Sequence, residues 1–94
     1  MTMKRKPQVH NKTVETTEYV EAVARMIRAA GRRAGDGDEV ELAALIRLQT
    51  VLDESIRSAV AGQREMGRSW AYIALATGHS REAAFKRWGK GALL

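Results

Sequence analysis

An apolar content of 45% in a chain of 94 residues predicts one folded domain, near the size at which a single core just suffices. Cysteine is absent, which excludes disulfides and thiolate metal sites and fits a reducing, cytoplasmic setting. The net charge of +5 is unevenly spread: residues 1–12 carry four cations and no acid, residues 36–63 six acids against two cations, and residues 64–94 six cations against two acids. Positive charge gathered at the two ends is what a polyanionic partner requires. The longest apolar run, Trp70 to Ala76, is far below the ~20 residues of a membrane span. The N-terminus has no apolar stretch of the kind a signal peptide carries, so no membrane partner is expected.

Residues 1–12 read as a flexible basic arm: Pro7 and its polar neighbours show no helical period. Such an arm is either a loose terminus or a strand laid along phosphates or in a minor groove. From Thr13 or Thr16 the pattern predicts a first helix running to about Arg33. Glu15, Glu18 and Glu21 come early and Arg25, Arg28, Arg32 and Arg33 late, the order the helix dipole favours. Val20, Val23, Ala24 and Ile27 form its apolar stripe, flanked by Tyr19 and Met26. Gly31 is a candidate early stop. The turn Gly35-Asp36-Gly37-Asp38 lacks the further oxygen ligands of a calcium loop. Asp38 with Glu41 instead suits a capping box for the next helix.

A long second helix is predicted from Glu39 to Met66. Leu42, Leu45, Gln49, Leu52 and Ile56 recur at alternating spacings of three and four, a heptad seam. Leu48 and Val51 face elsewhere, so the helix is expected to be covered on two sides. One cover is the rest of the chain; the other is a second copy, giving a homodimer through the seam. The plainer alternative is a monomer with this helix at its centre.

Gly67 ends the second helix and Ser69 caps a third, which carries Trp70, Ile73 and Ala74 on one face. Gly78 supplies a turn at positive φ. Ser80 then caps a fourth helix from Arg81 to about Trp88, with Glu82 in its first turn and Ala84 kept small for close crossing. The fold expected is all-α: four helices, two longer ones for scaffold and dimerisation followed by a C-terminal helix-turn-helix at 69–89, within a helical domain spanning 13–94.

The run Ser69-Trp70-Ala71, Ile73, Gly78, Ser80-Arg81, Ala83-Ala84 and Lys86-Arg87-Trp88-Gly89 resembles the helix-turn-helix of small bacterial DNA-binding proteins, particularly those of actinobacteria and their phages and plasmids. The run-in Ala59-Val60-Ala61-Gly62 and Arg64-Glu65-Met66-Gly67 is similar to that family too. Thr77 and His79 depart from the pattern, which usually has apolar residues there. The resemblance implies double-stranded DNA as partner, with the fourth helix in the major groove. Arg81, Glu82, Phe85 and Lys86 then become the base-reading candidates. Arg68, His79, Ser80, Arg87 and Lys90 become phosphate candidates. Trp70, Ile73, Ala74, Gly78, Ala84 and Trp88 are expected to hold the motif together. A small transcriptional repressor fits these features. An interaction module on the same fold (antitoxin-like or polymerase-contacting) and a plasmid or phage replication, segregation or architectural factor are the alternatives. No nucleophile–base pair, acid pair, phosphate loop or metal-ligand spacing points to an enzyme, a cofactor, a metal or a small-molecule effector.

Overall fold

A computed structural model describes residues 9–89, with side chains described from Thr13 onward. The described chain is all-α: α1 spans Val9–Gly35, α2 Glu39–Glu65, α3 Trp70–Thr77 and α4 Arg81–Ala84, which continues into a π-helical turn over Phe85–Gly89. Residues 1–8 of the expected arm, and the tail with Lys90, lie outside the described residues. Two compact units divide the chain, Met1–Leu45 and Ile46–Leu94.

The first unit holds α1 and the start of α2. Helix α1 begins at Val9 rather than at Thr13 or Thr16, so residues 9–12 belong to it and not to the arm. Nothing between Pro7 and Thr13 opposes winding. Gly31 does not stop the helix, which runs on to Gly35. One interior glycine costs about 1 kcal/mol, and Ala29, Ala30 and Ala34 around it favour helix. The Thr17 hydroxyl donates back to the Thr13 and Val14 carbonyls at 3.2 and 2.9 Å. Asp38 opens α2: its Oδ1 accepts from the Glu41 N–H at 3.1 Å. No described side chain of α1 is buried.

The second unit contains the buried core. Helix α2 ends in a left-handed turn at Gly67, φ 92°. The Gly67 N–H donates to the Arg64 carbonyl at 2.9 Å and the Arg68 N–H to the Gln63 carbonyl at 3.1 Å. That pair of bonds satisfies carbonyls the helix end would otherwise orphan. Val60 of α2 meets Ile73, Ala74, Ala84 and Trp88 in one cluster, with Trp70 packed against it.

Within the single chain α2 is covered only near its end, and the face expected to meet a second copy is open. Val60 is its one buried residue among those described. Leu42, Gln49, Leu52 and Ile56 of the expected seam are exposed and Leu45 is half-buried; Leu48 and Val51 on the other side are exposed as well. Helix α2 is long because its propensities are good and its caps are in place, while burial is confined to its last turns.

Candidate nucleic-acid interface

The candidate site is built from α3, the turn and α4, all within the second unit. Ser69 caps α3, its hydroxyl accepting from the Tyr72 N–H at 3.0 Å. Helix α3 stops at Gly78, φ 77°, and the His79 N–H donates to the Ala74 carbonyl at 3.0 Å. Ser80 repeats the device for α4, accepting from the Ala83 N–H at 3.0 Å. Two serine caps on either side of one left-handed glycine fix where each helix starts.

Helices α3 and α4 pack directly on each other. Ala84 is fully buried, because a larger side chain there would hold the two helices apart. Trp88 is buried beneath it. Thr77 and His79, on either side of Gly78, are both accommodated locally. The Thr77 hydroxyl donates to the Ile73 carbonyl at 2.8 Å, so its polarity is satisfied within its own helix. The His79 ring stands 5.1 Å from the Trp88 ring at 61°, covering an aromatic face as an apolar residue would. Its Nδ1 lies 3.1 Å from the Thr77 carbonyl.

Arg81, Glu82, Lys86 and Arg87 are exposed, and 81–89 is helical throughout. The expected uniform helix from Arg81 to Trp88 is corrected in its second half, where Phe85–Gly89 widens into a π turn. Widening suits the site, since Trp88 and Gly89 are both buried there.

Phe85 points only partly outward. It is 45% exposed and its ring meets Trp70 edge-on, centroids 5.5 Å apart. Between them lies an apolar notch of about 280 Å³ whose rim is Arg81 and Glu82. Trp70 thus serves both the core and the surface beside Arg81.

Arg68, half-buried, donates to the Gln63 side-chain carbonyl and lies over the Tyr72 ring at 5.0 Å. Arg87 lies over Trp88 at 5.7 Å. Ser80 is exposed but already serves as a cap. Arg64, not singled out by sequence reasoning, donates to the Arg68 carbonyl at 2.8 Å and covers Trp70 at 4.9 Å. Its six-residue separation from a tryptophan across a glycine turn carries no recognised signal. Leu75, also unforeseen, is 85% exposed, one position off the buried pair Ile73 and Ala74.

Among the described residues no group of His, Asp and Glu could hold a metal ion, and no helix is long and apolar enough to cross a membrane. The chain matches no protein-family model, no curated protein and no solved structure.

Proposed function

We propose that the chain binds double-stranded DNA through α4 and acts as a small transcriptional regulator, most simply a repressor, working as a homodimer in the cytoplasm. The observation that carries this proposal is the combination of exposed Arg81, Glu82 and Lys86 with a capped, glycine-turned helix pair held on a buried Ala84 and Trp88. A short helix braced against its neighbour can enter a major groove about 12 Å wide. Arg81 suits a bidentate contact to guanine, and Glu82 accepts from a cytosine amino group. The Trp70–Phe85 notch between them offers an apolar wall to a thymine methyl. Arg87, Arg68 and the Ser80 hydroxyl serve phosphates, which set register without reading sequence.

Selection from random duplexes at a stated salt concentration tests the proposal. It is expected to return a preferred sequence with two half-sites. Absence of salt-dependent binding to any duplex ends it. The second reading, a protein-interaction module, is favoured by Leu75 and Tyr72, exposed together on α3. Stoichiometric recovery of one protein partner without DNA affinity would support it instead.

A further inference from the structure

An uncovered apolar face runs along α1. Tyr19 is 72% exposed, Val20 56%, Val23 36%, Met26 66% and Ile27 39%. At ~100° per residue these five fall within about 120° of the helix circumference, with Val23 at the middle. Thr16 and Ala30 extend the strip at its two ends, and no charged residue interrupts it between them. The acids and bases of that stretch, Glu18, Glu21, Arg25 and Arg28, fall on the opposite side.

The strip is also its own complement when reversed. Counting outward from Val23, Val20 corresponds to Met26, Tyr19 to Ile27 and Thr16 to Ala30. Large meets large and small meets small. The charges beyond the strip follow the same rule. Glu15 and Arg33 each lie about 80° round from Val23, on the same flank, at opposite ends. Reversing the helix about Val23 brings Glu15 to within a turn of Arg33.

We propose that α1 is the docking surface for α1 of a second copy of this chain, antiparallel, with the two-fold axis at Val23. An isologous contact requires such self-complementarity, since residue i must suit residue j in both directions. Val23 faces Val23 of the second copy and Tyr19 stands level with Ile27; on one flank Val20 packs beside Ile27 and on the other Tyr19 beside Met26. Glu15 and Arg33 pair at both ends of one flank. A parallel pairing would set Glu15 level with Glu15 and Arg33 level with Arg33. Five side chains supply less than the ~800 Å² per partner of a standard interface, so the association is reversible at low concentration. This deepens the homodimer of the proposed function by naming the helix at the axis and its direction.

Sedimentation equilibrium over a range of concentrations, with far-UV circular dichroism as the folding control, tests it. Wild type is expected to dimerise reversibly. Glu15→Arg and Arg33→Glu are each expected to weaken the dimer by roughly fivefold, because like charges then meet at both ends, and the double variant to restore it. Orientation is read by cross-linking, which the absence of native cysteine keeps clean. Under mild oxidation a mixture of Y19C and I27C is expected to cross-link, and each variant alone is not. Self-linking of Y19C alone, or a monomer at every concentration, would overturn the inference. If the charge variants change nothing while Leu52→Lys dissolves the dimer, the α1 axis is lost but the homodimer stands. DNA binding is scored separately by duplex selection and does not enter either outcome.

Discussion

The Phe85 ring stands edge-on to the Trp70 indole at an interplanar angle of 88°, and Gly89 is what leaves room for it. A Cβ on Gly89 would sit 2.5 Å from Phe85 Cδ1. Gly89→Ala is therefore expected to swing the ring outward and forfeit the aromatic contact, about 1 kcal/mol. Urea unfolding checks the stability and near-UV circular dichroism the loss of the fixed tryptophan environment.

Gly78 stands at φ 77°, a conformation that costs a residue with a side chain roughly 1–2 kcal/mol. Gly78→Ala is expected to destabilise by about that amount although no atom lies within 4 Å of the added Cβ. The effect is backbone strain alone, so Gly78→Asn is expected to recover part of it. Denaturant midpoints of the three proteins give the comparison.

Ser80→Ala removes the bond to the Ala83 N–H and is expected to cost about 1 kcal/mol. Ser80→Asp keeps the cap and is expected to hold stability near wild type. It also sets a negative charge at the edge proposed to face DNA, so duplex affinity is expected to fall while the melting temperature does not. Parallel thermal melts and duplex titrations separate the two roles.

Trp88 is buried with Ala84, Ile73, Ala74 and Val60. Trp88→Ala is expected to cost about 3–5 kcal/mol, enough to unfold the second unit of so small a protein. Loss of helical signal in far-UV circular dichroism is the readout.

Arg81 and Arg87 are both exposed cations, but base and phosphate contacts fail differently. Arg81→Ala is expected to lose about 1–3 kcal/mol against the preferred duplex and to relax sequence preference. Arg87→Ala is expected to weaken all duplexes alike and to reduce the salt slope by about 1. Titrations at several salt concentrations against preferred and scrambled duplexes tell them apart.

Much of the helical layout was legible because caps and glycines act locally. Asp38, Ser69 and Ser80 start helices, and Gly67 and Gly78 end them, without help from distant residues. The buried faces of α3 and α4 were legible for the same reason, since Ile73, Ala74, Ala84 and Trp88 follow from helical spacing. In α2 the Leu42–Ile56 heptad shows which residues share a face, and in the single chain that face is open; spacing alone does not say what lies against it. The contact of Phe85 with Trp70 and the π turn over Phe85–Gly89 were not legible, since no residue between Arg81 and Gly89 announces a π turn. The α1 strip was visible as apolar, but its symmetry about Val23 gained meaning only once exposure left it without a cover in the single chain.

Among the described residues the buried ones, Val60, Ile73, Ala74, Ala84, Trp88 and Gly89, all fall in the second half of the sequence. Helix α1 has no such anchor, and a helix held by propensity alone opens readily. Amide hydrogens of α1 are thus expected to exchange quickly at high dilution and slowly once copies accumulate. The cellular level of the protein would then set how much of α1 is folded, and the response to gene dosage would be steeper than proportional.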